Sequence, residues 1–213
     1  MNPNQLVKLL LPLFLIPLTL YSVSLFGHDA GNAVIGIAFF IAVVKFANES
    51  ERKYMIILAV FASIFESVNV ISGGYKYIGA PLVPLWVGLG WGILGLYLVK
   101  NVETFKSINN KNAYILSAIF FSAVWVLTGA SIPSLVFLGV AISTTYVLSL
   151  SSKFPASFFL FTGVMGVVIE FFGTSVGVWK YFLNGLPIDP PLLALSMAYC
   201  SVIAFGIWLS RID

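Results

Sequence analysis

The chain has few of the residues on which many soluble enzymes rely. Its 213 residues include a single cysteine, Cys200, and a single histidine, His28. One cysteine excludes an internal disulfide or a cysteine metal cluster, and one histidine gives no basis for an acyl-transfer triad or a zinc site. The sequence also has no phosphate-binding loop, dinucleotide-binding fingerprint or paired aspartate-rich motif. We therefore expect neither a metal nor a cofactor.

Charge is also scarce. Only 9% of the residues are charged, whereas 60% are hydrophobic, and the mean hydropathy is +1.02. This composition excludes an ordinary soluble domain and indicates an integral membrane protein. The basic residues form no cluster interleaved with aromatic side chains, so we expect no nucleic-acid partner.

Long apolar runs occupy most of the chain. A run of about 20 apolar residues can cross a bilayer as a helix. We predict an all-α integral membrane protein with about eight transmembrane helices. The predicted spans are Leu6–Phe26, Ala30–Ala47, Tyr54–Ser72, Ala80–Val99, Ala113–Thr128, Pro133–Leu150, Phe154–Val176 and Pro190–Leu209.

The positive charges fall mostly on one side of these spans. Nine lysines and arginines fall on the side that carries both termini, and two fall on the other. Because cytoplasmic loops are enriched in Lys and Arg, we expect a multi-pass protein of the cell membrane with both termini in the cytoplasm. The nine are Lys8, Lys45, Arg52, Lys53, Lys100, Lys106, Lys111, Lys153 and Arg211, and the two are Lys76 and Lys180.

Two segments 104 positions apart are versions of one sequence, ESVNVISGGYKY at Glu66–Tyr77 and EFFGTSVGVWKY at Glu170–Tyr181. The glutamate, a glycine, the lysine and the final tyrosine match without a gap, and a proline pair follows each segment. We predict two parallel four-helix repeats, residues 1–100 and 113–213, joined by a cytoplasmic linker at 101–112.

Each repeated segment begins with a glutamate inside an apolar helix. An acidic side chain at the centre of a transmembrane helix costs roughly 2.5–3.5 kcal/mol on insertion scales, so an intramembrane carboxyl is a functional-site candidate. Glu66 and Glu170 are therefore the candidate catalytic residues, and a structural hydrogen bond is the alternative role. We expect the two carboxyls to lie close together, so that at least one stays protonated and can act as a proton donor.

Small residues share a helix face with each glutamate. Spacings of three and four keep them on one face, which predicts close helix packing with the carboxyl turned away from lipid. The residues are Ala59, Ala62, Asn69 and Gly73 around Glu66, and Gly163, Gly166, Gly173 and Gly177 around Glu170.

An aromatic triplet follows each glutamate helix, after a glycine that should end the helix. One interpretation is an aromatic belt at the membrane interface with snorkelling lysines. The other is an aromatic-lined site folded back over the acid. On that interpretation the candidate substrate-binding residues are Asn69, Tyr75, Lys76, Tyr77, Trp86, Trp91, Trp179, Lys180 and Tyr181.

The order of Glu, Gly, aromatic-x-Tyr and a proline-led helix resembles integral-membrane carotenoid-biosynthesis proteins of the bisanhydrobacterioruberin hydratase type. The resemblance covers Glu66–Pro84 and Glu170–Pro190. Members of that family add water to the end of a long polyene. The resemblance implies a hydratase (a lyase) or a cyclase (an isomerase) that acts on a lipid-soluble isoprenoid or carotenoid-like substrate, with a glutamate as the acid.

Two other functions stay open. Tandem repeats and an acidic pair within the membrane also describe a proton-coupled small-molecule transporter. A non-catalytic protein that binds a lipid or a pigment has the same composition. The oligomeric state does not follow from the sequence.

Overall fold

A computed structural model describes residues 3–106, 119, 154–183, 185–189 and 192–211. These residues are mostly helical. Apart from Ile119, the predicted spans Ala113–Thr128 and Pro133–Leu150 lie outside the described residues. The elements are α1 (Pro3–Ile41), a π-helical turn (Ala42–Phe46), α2 (Glu49–Ile71), β1 (Tyr75–Tyr77), α3 (Leu85–Lys100), α4 (Val102–Lys106), α5 (Ala156–Ser175), β2 (Trp179–Leu183), β3 (Leu186–Ile188) and α6 (Leu192–Ser210).

Three helical stretches of the described residues are long and apolar enough to cross a membrane: Ile16–Phe46, Glu49–Ile71 and Ala156–Ser175. Two further apolar helices, Leu85–Lys100 and Leu195–Ser210, are shorter. Large apolar side chains are exposed along α1 and α2, as expected of helices that face lipid. These features indicate a membrane protein, while the count of eight spans stays a prediction.

Helix α1 is broken at Gly27, where the backbone has φ 82° and ψ 176°. A Cβ built on Gly31 would lie 2.8 Å from Cγ2 of Val23. Residues eight positions apart in a straight helix are about 12 Å apart along its axis, so the two arms of α1 fold back on each other. The break falls where the sequence predicts a loop between its first two spans.

Helix α2 has clear start and stop signals. Asn48 and Glu51 form a capping box at its first turn. At the other end, Gly73 takes φ 79°, and the amides of Gly73 and Gly74 bond back to the carbonyls of Val70 and Asn69. This is a Schellman motif, in which glycine tolerates the left-handed backbone. The prediction that Gly73 ends the helix is confirmed.

Helix α5 ends in the same way. Gly177 takes φ 75°, and the amides of Gly177 and Val178 bond to the carbonyls of Thr174 and Gly173. Each of these bonds has its counterpart 104 positions earlier, at the end of α2. The prediction that Gly177 ends this helix is also confirmed.

Each glutamate helix packs mainly on the helix that follows it along the described chain, α2 on α3 and α5 on α6. Helix α3 approaches α2 closely because glycines face it. A Cβ on Gly88 would lie 2.8 Å from the backbone oxygen of Ala59, and one on Gly92 would lie 2.9 Å from that of Met55. Helix α2 also packs on α6, and α1 packs on α3 and α5.

The fold also contains a three-stranded antiparallel sheet with the order β1-β2-β3, a short exception within the mostly helical structure that the sequence predicts. Tyr75 pairs with Tyr181, Lys76 with Lys180 and Tyr77 with Trp179. The pairing joins the two repeated segments and is symmetric about the Lys76–Lys180 pair. The flanking bonds, from the Ile78 amide to Val178 and from the Phe182 amide to Gly74, obey the same symmetry.

One local prediction, the start of the helix after β1, differs from the structure. Pro81 is expected in the first turn of a helix, but α3 begins at Leu85 with Pro84 as its N-cap. The first part of the predicted linker at 101–112 is helical, since Val102–Lys106 forms α4. The side chain of Phe105 is fully buried there, and its carbonyl accepts a hydrogen bond from the Ser157 hydroxyl at 2.6 Å.

Candidate functional site

Both repeated glutamates are buried. The exposed fraction is 8% for Glu66 and 6% for Glu170, although each lies on a helix of otherwise apolar character. The prediction that both carboxyls point into the protein, away from lipid, is therefore confirmed. Buried acidic groups need partners, because an unpaired carboxyl loses its hydration on burial without replacement.

Three hydrogen-bond donors surround the carboxyl of Glu170. Its Oε2 accepts from Trp179 Nε1 at 2.8 Å and from the Tyr181 hydroxyl at 2.6 Å. Its Oε1 accepts from the Tyr199 hydroxyl at 3.2 Å. Two donors come from β2 and one from α6, so the strand and the helix together fix the orientation of this carboxyl.

Glu66 has fewer donors. Its Oε1 accepts from Trp91 Nε1 at 3.2 Å, and Tyr77 is a further side chain close to the carboxyl. Trp91 belongs to α3 and Tyr77 to β1, so the arrangement again combines a helix and a strand. The indole N–H can only donate, and Glu66 is therefore an acceptor in the Trp91 contact.

The two carboxyls belong to one cluster. Trp91, which binds Glu66, stacks on Tyr199, which binds Glu170, with ring centroids 4.3 Å apart. Tyr77 and Trp179, the partners from the sheet, have centroids 5.8 Å apart. We call Glu66, Glu170 and these rings, with Tyr75, Tyr181 and Trp86, the aromatic cluster.

The glycines of α5 make room for rings of this cluster. A Cβ on Gly166 would lie 2.6 Å from the Tyr199 ring, and a Cβ on Gly173 would overlap the Trp179 ring. Gly166 and Gly173 lie four and three residues from Glu170, on the same helix face. The small-residue face of α5 therefore packs on the donors of Glu170.

The sheet covers the carboxyls with its inner face. Tyr75, Tyr77, Trp179 and Tyr181 are buried, while Lys76 and Lys180 between them are exposed, as the two-residue period of a strand requires. Burial, followed by the charge on Glu66, raises the pKa of the Tyr77 phenol well above its usual value. Burial, followed by Glu170, likewise raises the pKa of Tyr181. Both phenols therefore keep their protons and remain hydrogen-bond donors.

Three predicted site residues lie apart from the carboxyls. The Asn69 side chain donates to the Phe65 carbonyl of its own helix at 2.8 Å. Lys76 is on the outer face of the sheet, with Nζ 5.4 Å from the centre of the Phe182 ring, and Lys180 is exposed on the same face. Strand alternation places the two lysines on the outer face of the sheet, and a local bond holds Asn69 to its own helix, so a role of these three residues in substrate binding stays a prediction.

Trp86 joins the cluster through a residue that the sequence does not assign to the site. Trp86 Nε1 donates to His28 Nδ1 at 3.2 Å, and His28 Nε2 lies 2.8 Å from the Ile78 carbonyl oxygen. Because an indole nitrogen only donates, Nδ1 of His28 is the acceptor and Nε2 carries the proton. His28 thus ties the break in α1 to the end of β1.

Tyr199 is the other residue that sequence reasoning misses. It is buried and in contact with both Glu170 and Trp91. The residue 104 positions earlier is Gly95, so the internal repeat gives no signal for it. For His28 the available signal is its rarity, as the single histidine of the chain.

Chemically, the cluster offers two carboxyls in an environment of ring faces and N–H and O–H donors. Among the described residues, no group of His, Cys, Asp and Glu side chains could hold a metal ion. Comparisons of the chain with known protein families, curated proteins and solved structures found no match. The resemblance to carotenoid-biosynthesis proteins thus stays a prediction.

Proposed function

We propose that the protein is a membrane enzyme that adds a proton to a double bond of a lipid-soluble isoprenoid or carotenoid-like substrate, leading to hydration or cyclisation. One observation carries the proposal: two buried carboxyls share one aromatic cluster, linked through Trp91 and Tyr199. Protonation of an alkene needs an acid sheltered from bulk water and a means of stabilising the resulting carbocation. Carboxyls and ring faces supply these two needs.

The donor pattern supports different roles for the two acids. Glu170 accepts three hydrogen bonds on its two oxygens, and hydrogen bonds to a carboxylate favour its charged form. Glu66 accepts one, from Trp91. We assign Glu66 as the proton donor and Glu170 as the carboxylate that faces the cation.

The proposed reaction balances with these two groups. The O–H bond of Glu66 breaks as its proton bonds to one alkene carbon, and the other carbon becomes a cation. Water then adds to the cation and gives a proton to Glu170. In cyclisation, a second double bond attacks the cation, and Glu170 removes a proton from a neighbouring carbon. Proton transfer between the two acids restores the starting state.

The ring faces have a defined part in this scheme. A cation over an aromatic face gains about 2 kcal/mol or more when it is desolvated. Trp91 and Tyr199 connect the two carboxyls through their ring contact, and Tyr77 and Trp179 cover them from the sheet. A carbocation formed beside Glu66 would therefore have aromatic neighbours on the side of α3 and α6 and on the side of the sheet.

We also propose that the site arose by tandem duplication, with eight spans in two parallel repeats and both termini in the cytoplasm. The support is the symmetric register about the Lys76–Lys180 pair and the matching helix ends at Gly73 and Gly177. Since the donor sets of the two glutamates differ, the repeats form one site with unequal halves.

The test is to replace each glutamate by glutamine and to measure turnover of the acyclic polyene lycopene in lipid nanodiscs. Glu66→Gln and Glu170→Gln should each reduce product by at least about a hundredfold, the usual scale for loss of an acid or base. Folding should persist in Glu170→Gln, because the amide oxygen can accept from Trp179 and Tyr181 while the amide N–H donates to the Tyr199 hydroxyl oxygen.

Glu103→Gln is the matched control. Glu103 is exposed and pairs with Lys106 at 2.7 Å, so its loss should leave turnover unchanged. Wild-type yield in both Glu66→Gln and Glu170→Gln contradicts acid catalysis. Pigment that copurifies with such variants would point to a binding role instead.

A further inference from the structure

Tyr75 is the member of the aromatic cluster whose polar group has no partner. Its exposed fraction is 7%, and its hydroxyl is buried without a hydrogen bond. Among the described residues, Tyr54 is the other side chain with a buried polar atom in this state. A buried hydroxyl that lost its water and found no partner is costly, so each such group calls for an explanation.

The position of Tyr75 in the sheet suggests an explanation for its unpartnered hydroxyl. It pairs with Tyr181 across the sheet, with ring centroids 5.3 Å apart. Its ring is also 5.7 Å from that of Tyr77. Tyr181, like Trp179 of the same strand, binds the Glu170 side chain, and Tyr77 lies close to Glu66. The free hydroxyl therefore belongs to the same inner face as the sheet residues beside both acids.

We propose that the Tyr75 hydroxyl binds an oxygen atom of the ligand, either the water that is added or a hydroxyl on the end of the polyene. The inference rests on the proposed function and extends it to the polar end of the substrate. A phenol can donate to such an oxygen and accept from it. Tyr75 then has its partner only when ligand is bound, whereas Tyr181 and Tyr199 already bind Glu170.

Binding of two polyenes tests this without need for turnover. The probes are lycopene and rhodopin, its derivative with one hydroxyl from hydration of a terminal double bond. In nanodiscs the wild-type protein should bind rhodopin about five- to tenfold more tightly than lycopene, as expected for one neutral hydrogen bond. In Tyr75→Phe this preference should disappear, with lycopene affinity unchanged.

Tyr54→Phe is the matched control. Tyr54 has the same unpartnered buried hydroxyl, but it packs near Gly95 and Gly206. It lies 12 residues before Glu66 on α2, which is about 18 Å along the helix axis. Because neither hydroxyl makes a hydrogen bond to the protein, both variants should unfold at or above the wild-type temperature. Tyr54→Phe should keep the preference for rhodopin.

Turnover of lycopene in heavy-oxygen water separates the two sources of the oxygen. If Tyr75 holds the added water, Tyr75→Phe lowers label incorporation. If it holds a hydroxyl of the polyene, incorporation is unchanged and only the rhodopin preference is lost. Either result supports the inference when the preference is present in the wild type.

Equal affinities of the wild type for the two polyenes, together with unchanged label incorporation in Tyr75→Phe, overturn the inference, and so does a preference that survives in Tyr75→Phe. These results are independent of the glutamate test. Essential glutamates with equal affinities and unchanged incorporation keep the acid chemistry and discard the Tyr75 site. Dispensable glutamates with a lost preference keep the Tyr75 site and discard the acid chemistry.

Discussion

At the scale of single residues, the site depends on positions where glycine leaves room for an aromatic ring. Gly173 is three residues beyond Glu170, and the space over it is filled by the Trp179 ring. That ring carries the N–H that binds Glu170 at 2.8 Å. The geometry of the carboxyl therefore depends on the absence of a methyl group on the neighbouring helix turn.

Gly173→Ala tests this dependence. The new Cβ would overlap Trp179, so the ring must move and its bond to Glu170 must lengthen or break. Overpacking of this kind typically costs about 1–3 kcal/mol. We expect a lower unfolding temperature in detergent, a changed tryptophan emission spectrum and reduced turnover.

The control for this variant is Gly90→Ala. Gly90 lies in α3, and a Cβ added there would have no neighbouring atom within 4 Å. Alanine also favours a helix over glycine by up to about 1 kcal/mol. Gly90→Ala should match the wild type or exceed its stability. Equal behaviour of the two variants would contradict the role assigned to Gly173.

At the scale of elements, the sheet is stabilised by its inner face rather than by its outer one. Lys76 and Lys180 lie directly opposite each other on the outer face, and like charges in this position destabilise a sheet. On the inner face, the rings of Trp179 and Tyr181 are hydrogen-bonded to Glu170. The strands are thus fastened to the helices beneath them.

Lys180→Glu should strengthen the sheet, because it turns a repulsive cross-strand pair into an attractive one worth about 0.2–1 kcal/mol. Amide hydrogen exchange at Ile78 and Phe182, whose N–H groups bond across the strands, should slow by up to about fivefold. The double variant Lys76→Glu with Lys180→Glu restores like charges and should return exchange to the wild-type rate. No change in Lys180→Glu would contradict this account.

At the scale of the whole molecule, α4 connects the end of α3 to the start of α5 through buried contacts. Phe105 is fully buried and packs on Phe158 with ring centroids 5.6 Å apart. At this end of the helices, Lys100 also pairs with Glu51 at 2.8 Å. The start of the predicted linker therefore acts as part of the core.

Phe105→Ala should destabilise the protein by about 3–5 kcal/mol, as for other buried phenylalanines. Lys106→Ala removes the next side chain, which is exposed and in an ion pair with Glu103, and should cost no more than about 1 kcal/mol. Unfolding in detergent with added SDS measures both. If Phe105→Ala is as stable as Lys106→Ala, α4 does not hold the end of α3 and the start of α5 together.

The parts of the site that could be predicted from the sequence are those with a local signal. Glutamate in an apolar helix is costly, which identified Glu66 and Glu170 as buried. Glycine tolerates a positive φ, which located the ends of α2 and α5 at Gly73 and Gly177.

The parts that could not be predicted depend on contacts between distant residues. The pairing of residues 75–77 with 179–181 joins strands about a hundred positions apart, and a Tyr-Lys-Tyr triplet is equally typical of an interfacial belt. Tyr199 lies on an apolar helix whose pattern does not distinguish a donor to Glu170 from any other buried tyrosine. The contacts of His28 with Trp86 and Ile78 depend on the fold-back of α1 at Gly27.

The register about Lys76 and Lys180 has a consequence for the origin of the chain. The hydrogen bonds from β1 to β2 are equivalent to those from β2 to β1. Two identical copies of residues 73–79 from separate polypeptides could therefore make the same strand pair. A homodimeric ancestor encoded by half of the present gene could thus have had this covering before fusion, with two equal acids. Fusion would then have freed each copy to change alone, which is the condition for one acid to gain donors that the other lacks.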